Sequence, residues 1–191
     1  MLITKDEADQ LLQPFLEKIE FCITGAINEY NRMGSLERSK FTKRTKASII
    51  NDFIVFNAIK ELTNMRGIHF NPERRPFCVY IEDKFKLRFK KFDCSLRPSY
   101  IPTHQMLDLI NQVDIPLPEM PYEATHIIAG YVWRNATQTN KDIYITCPNG
   151  KHNEWELKIS ILKSPTIAQE QTTGTSDRDH RRVFPKDIQD S

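Results

Sequence analysis

Lys84, Lys86, Arg88 and Lys90 alternate with Phe85, Leu87 and Phe89. Successive side chains of an extended strand point to opposite faces, so this run has one apolar face and one wholly basic face. Cations repeated along one face, with no acid among them, favour an anion. Such a face suits the phosphate backbone of a nucleic acid, and it equally suits the acidic surface of a protein partner. The bland counterpart is a solvated face, because edge strands carry lysines to block pairing and long basic side chains cover sheet surface. A second basic group, Arg38, Lys40, Lys43, Arg44 and Lys46, includes Phe41 and interleaved hydroxyls, a composition that fits backbone contact with limited stacking. Lys40, Lys43 and Arg44 from this group, with Lys86, Arg88 and Lys90 from the strand, are the candidate binding residues.

Catalytic patterns are sparser. Glu82-x-Lys84 matches the acid-x-lysine half of a metal-dependent nuclease site, in which carboxylates hold the metal and the lysine assists hydrolysis. With Asp83 it is the best enzymatic candidate, although no acid lies on an upstream neighbouring strand and Asp52 falls on a helix. The five histidines show no paired spacing, and Cys147 with His152 supplies only two ligands. Nucleophile-elbow, phosphate-loop and dinucleotide patterns are missing. The sequence therefore assigns no catalytic residue, no metal ligand and no cofactor, and the leading expectation is a non-enzymatic binding protein.

Net charge over the 191 residues is only +2, but it is unevenly spread. Ser35 to Tyr100 carries 15 Lys/Arg against 7 Asp/Glu, and the remainder 12 against 18. A basic middle in a near-neutral chain predicts a localised positive surface. The apolar fraction of 39% with 27% charged residues is that of a globular protein, and no run approaches the roughly 18 apolar residues of a membrane span. Met1 to Glu7 contains no apolar signal region, so a cytoplasmic protein without membrane attachment is expected. Cys22, Cys78, Cys94 and Cys147 form no Cys-x-x-Cys pair and read as small buried apolar groups.

The elements that must carry these residues begin with a helix. Thr4-x-x-Glu7 has the form of a capping box, and Leu12, Phe15, Ile19, Ile23 and Ile27 follow at helical spacing. Pro14 predicts a kink or a helix start at that position. A second helix is expected from about Lys43 to Met65, with Ile50, Phe53, Ile54, Ala58, Leu62 and Met65 inward and Gly67 as its cap. Its basic N-terminal residues oppose the helix dipole, so they do not serve helix stability.

Phe77 to Ile81 and Phe85 to Phe92 predict a hairpin. A three-residue loop pairs Ile81 with Phe85, Val79 with Leu87 and Phe77 with Phe89, leaving Tyr80 and Cys78 beside Lys86 and Arg88. Lys84 would then take the left-handed position. A short helix over Thr103 to Val113 is expected to turn Met106, Leu107, Ile110 and Val113 inward. After it come an extended connector, Ile115 to Pro121, and strands at Thr125–Trp133, Asp142–Cys147 and Asn153–Leu162. Asn149-Gly150 marks a tight hairpin between the last two strands.

The expected fold class is α+β: N-terminal helices packed on a roughly five-stranded antiparallel sheet interrupted by one short helix. Residues 1–164 would form one domain, with a helical part over 1–66 and a mostly β part over 77–162. Residues 165–191 would form a flexible tail, or with the helices a protein-interaction scaffold.

Leu87-Arg88-Phe89-Lys90-Lys91-Phe92-Asp93, Ile101-Pro102-Thr103-x-Gln105, Ala129-Gly130-Tyr131 and Arg181-Arg182-Val183-x-Pro185-Lys186 together resemble a bacterial family of similar length from prophage and mobile-element regions. Its genes often sit beside a helix-turn-helix repressor or a phage-repressor-cleaving metallopeptidase. The resemblance implies a toxin–antitoxin, phage-regulation or defence context and transfers no active-site residue.

Overall fold

The computed structural model describes residues 2–73, 75–99, 103–113, 123–133 and 142–159. Helix α1 (Lys5–Arg32) opens on the expected capping box: Thr4 Oγ1 accepts from the Glu7 N–H, and Glu7 Oε2 accepts from the Thr4 N–H, each at 3.4 Å. The helix passes through Pro14 without starting there. A single turn, α2 (Ser35–Ser39), follows unannounced by any apolar pattern. Helix α3 (Lys43–Leu62) is capped by Thr42, whose Oγ1 accepts from the Thr45 N–H at 3.1 Å. It buries Ile50, Ile54, Ala58 and Leu62 and stops short of Met65. Gly67, at φ 79°, does not cap it but turns the chain into a strand. α1 and α3 pack together, and Lys18 Nζ meets Glu61 Oε2 at 2.8 Å across them.

Six strands lie in sequence order across one sheet: β1 (Ile68–His69), β2 (Val79–Ile81), β3 (Phe85–Phe92), β4 (Thr125–Val132), β5 (Ile143–Asn149) and β6 (His152–Ile159). Helix α4 (His104–Ile110) falls between β3 and β4. The α+β class stands, but the expected five-stranded antiparallel sheet is corrected in two respects. β1 adds a sixth strand, and β3 runs parallel to β4 from Phe85↔Thr125 to Phe92↔Val132. Parallel neighbours need a crossover, which α4 provides, and β4 is buried at every position as a central parallel strand is.

The β2–β3 hairpin has the predicted register, with Ile81 opposite Phe85 and Val79 opposite Leu87. The left-handed residues are Glu82 and Asp83, at φ 52° and 53°, and not Lys84. The Lys84 N–H donates to the Ile81 carbonyl at 3.0 Å, closing the turn over that pair.

α1 and α3 cover one face of the sheet, meeting Val79, Ile81, Phe85, Leu87, Phe89, Ile127 and Ile145. On the other face α4 packs Met106, Leu109 and Ile110 against Phe92, Ile128 and Val132. Met106 and Ile110 are inward as expected, but Leu109 is buried in place of Leu107, which is exposed, and Val113 lies exposed beyond the end of the helix. Gln112, at φ 55°, fastens the end of α4 to the sheet. Its amide donates to the carbonyls of His126 (2.9 Å) and Pro148 (2.6 Å) and accepts from the His126 N–H at 2.8 Å. The N-terminal segment is tied down as well: Trp155 Nε1 donates to the Ile3 carbonyl at 2.9 Å. The expected connector from Ile115 to Pro121 and the expected tail over 165–191 lie outside the described residues. No helix among the described residues is long and apolar enough to cross a membrane.

Candidate anion-binding groove

The alternation of β3 is realised as drawn from the sequence. Phe85, Leu87 and Phe89 are buried among the core residues, and Lys86, Arg88 and Lys90 point to the α4 side, half-buried. They are not the freely solvated face of an edge strand. β2 pairs with β3 only as far as Leu87, so Arg88 and Lys90 emerge where that ladder has ended.

Arg88 is positioned by Cys78. The guanidinium Nε donates to Cys78 Sγ at 3.2 Å, and the thiol in turn donates to the Pro76 carbonyl at 3.4 Å. Beyond Arg88, the first half of α3 and the approach to α4 complete a groove of about 700 Å³. Its walls include Lys43 and Arg44 from the first turn of α3 and Arg88, Lys90 and Lys91 from β3. Among its described lining residues Asp52 is the only acid, and Ser99, Thr103 and Gln105 add uncharged donors. Two basic groups more than forty positions apart in the chain thus share one concave surface.

The electrostatics of this surface run against the folded chain. Burial holds the Lys90 ammonium below the usual lysine range, and the neighbouring Arg88 charge pushes it further the same way, with only Cys78 opposing. Lys43 and Arg44 sit where the helix dipole disfavours cations. Lys91 is held by Trp133, its Nζ lying 6.0 Å from the ring centroid. An anion in the groove relieves each of the first two strains.

The other candidates are distributed differently. Lys86 lines a smaller cavity of about 170 Å³ beneath α4, which it shares with Arg88, Cys78, Tyr80 and His126. Lys40 is the exposed C-cap of α2 and does not line the groove. Glu82, Asp83 and Lys84 occupy the hairpin turn, where Asp83 lies 3.5 Å from His69 Nε2 and His69 stacks on Tyr80 at 5.2 Å. Lys90 is six positions along β3 from Lys84 of that turn, or about 20 Å at the usual strand rise. Among the described residues no three His, Cys, Asp or Glu side chains form a metal-holding group. Cys22, Cys78 and Cys147 are buried, whereas Cys94 is exposed, contrary to the expectation for all four. Burial pushes the thiols of Cys22 and Cys147 up to about 12, which makes them inert packing groups.

Sequence reasoning missed Lys91, which breaks the alternation of the strand, and the polar residues Asn51, Ser99, Thr103 and Gln105. It also missed Phe56 on α3, which is 65% exposed beside an adjoining apolar pocket. Only Lys91 left a signal, as the second of two adjacent cations in Lys90-Lys91. Compared with known proteins, the chain matches no family model, and no curated protein or solved structure is significantly similar to it.

Proposed function

We propose that this chain is a non-enzymatic accessory protein that binds nucleic acid through the groove between α3 and β3. The observation that carries the reading is the convergence of Lys43 and Arg44 with Arg88, Lys90 and Lys91 around one concavity that contains a single acid among its described residues. Phosphate contacts from such a set supply affinity without sequence preference, through release of counterions from the nucleic acid. A place in a prophage, toxin–antitoxin or phage-defence locus follows from the family resemblance and gives such a protein a nucleic-acid context.

The test is binding of labelled oligonucleotides at 50 and 200 mM salt by the full chain and by the Lys43→Glu/Arg44→Glu variant. Both residues are exposed, and acids in a first helical turn favour the helix, so lost binding cannot be assigned to lost folding. Four or five phosphate contacts predict that affinity falls on the order of a hundredfold between the two salts, and that the variant flattens this dependence. Binding that ignores both salt and the double substitution sinks the proposal. No nucleic-acid affinity at all also sinks it, and leaves an acidic protein as the ligand to seek.

A further inference from the structure

Beside the groove, a pocket of about 370 Å³ opens between α3 and β3. It shares Asn51, Asp52, Arg88 and Lys90 with the groove walls, so the two spaces are continuous. Its remaining walls are largely apolar, with Val55, Phe56 and Ile59 from α3 facing Phe77 and Phe89. The volume is that of a small-molecule site, for which roughly 300 Å³ is the lower bound. An apolar recess fed by a cationic channel is poorly matched to a duplex, whose bases stay inside the stack and present only sugar and phosphate to such a wall. It is well matched to a single strand, whose bases splay out and stack on aromatic side chains.

We infer that the groove takes single-stranded nucleic acid, with one base unstacked into this pocket against Phe56 and the flanking phosphates held by Arg88 and Lys90. The inference rests on the nucleic-acid reading of the groove and names the form of nucleic acid. Phe56 is 65% exposed, and its ring therefore has a face to give to a base. Asn51 and Asp52 lie at the junction of pocket and groove, supplying an amide that donates and accepts and a carboxylate that accepts, both suited to a base edge. Arg88 lines both spaces and is oriented by Cys78, so the phosphate and base subsites have a fixed relation to each other.

Fluorescence anisotropy with the full chain tests this, using a 20-nucleotide DNA single strand, the RNA of the same sequence, and the corresponding DNA duplex. The proteins are the wild type, Phe56→Ala, Phe56→Tyr and Lys43→Glu/Arg44→Glu. Alanine at an exposed helical position leaves no buried cavity and favours the helix, so folding is retained. The wild type should prefer single strands at least tenfold. Phe56→Ala should weaken single-strand binding roughly 5- to 150-fold, the range for loss of one base–aromatic stack, with duplex binding unchanged. Phe56→Tyr should restore most of the loss. Equal affinity for strand and duplex, or wild-type single-strand binding by Phe56→Ala, overturns the base pocket. If either occurs while Lys43→Glu/Arg44→Glu still weakens binding, the groove reading stands alone. If that double variant also binds as the wild type does, both fall.

Discussion

Gly130 of β4 faces Lys90 of β3 so closely that a Cβ at Gly130 would collide with the Lys90 carbonyl oxygen and with the Phe92 ring. Both neighbours are fixed, one as strand backbone and one as a buried core ring. Glycine is therefore required for β3 and β4 to lie together at this point. Gly130→Ala should cost about 1–3 kcal/mol as an overpacking substitution, read from urea unfolding. Because the residue displaced is Lys90, the same variant should also weaken oligonucleotide binding at temperatures where it remains folded. A variant of wild-type stability would mean that the strands separate without cost, and that the β3–β4 contact does not position the groove.

The hairpin turn offers a gain in place of a loss. Glu82 and Asp83 both hold left-handed backbone, which costs an L-residue roughly 1–2 kcal/mol. Asn-Gly is the preferred pair for such a turn. Replacing Glu82 by Asn and Asp83 by Gly should raise stability by about 1 kcal/mol after the added chain entropy of glycine is subtracted. The exposed His69–Asp83 contact that is lost contributes little. Groove binding should not change, since the turn lies at the far end of β3. A fall in stability would show that the Glu82 side chain, lodged against Gly67, holds the turn.

Burial is what made part of this structure legible. The β2–β3 register could be derived because any shift by one residue would put Lys86 into the core beside Val79 or Ile81. The parallel pairing of β3 with β4 was not read from the sequence: a helix between the two strands permits a crossover but does not require one, and the unbroken burial of Thr125–Val132 is visible only in the structure. Strand β1, at two residues, is too short to show a period. The groove was the hardest part to foresee. Lys43 and Arg44 are brought to Arg88 and Lys90 by the packing of α3 on β3, and a sequence period records only neighbours within one element. Lys91 belongs by alternation to the apolar face, and it serves the groove only because β3 is ending there.

Glu20 is a carboxylic acid on the buried stripe of α1, only 8% exposed. Burial raises its pKa, and the nearby Glu17 raises it further. A carboxyl whose folded pKa lies above its unfolded value contributes fully below the unfolded pKa, and the contribution is lost as pH rises through the folded one. At neutral pH the ionised group therefore burdens the fold. Glu20→Gln should melt higher than the wild type at pH 7, and the difference should shrink as pH is lowered toward the ordinary carboxylate range. A substitution that destabilises at neutral pH would mean that the ionised carboxylate is satisfied in the folded chain.

Lys90 has the opposite shift, downward, from burial first and Arg88 second. In the free chain its ammonium is charged in both folded and unfolded states at low pH, so its cost is present there. That cost is relieved as pH rises through the depressed folded pKa, because the unfolded state then binds more protons. An anion in the groove reverses the preference, stabilising the charged form and raising the pKa again. Affinity for an oligonucleotide should therefore begin to fall at a pH below that at which ordinary lysines, near 10.4, lose their charge. Lys43, Arg44, Arg88 and Lys91 also face the groove, with Asp52 as the opposing acid. Lys90→Arg keeps the charge at all accessible pH values, so its affinity should stay level across the interval in which the wild type declines. Binding titrations from pH 6 to 9.5, compared between the two proteins, decide the matter. Parallel profiles would show that Lys90 does not touch the bound anion.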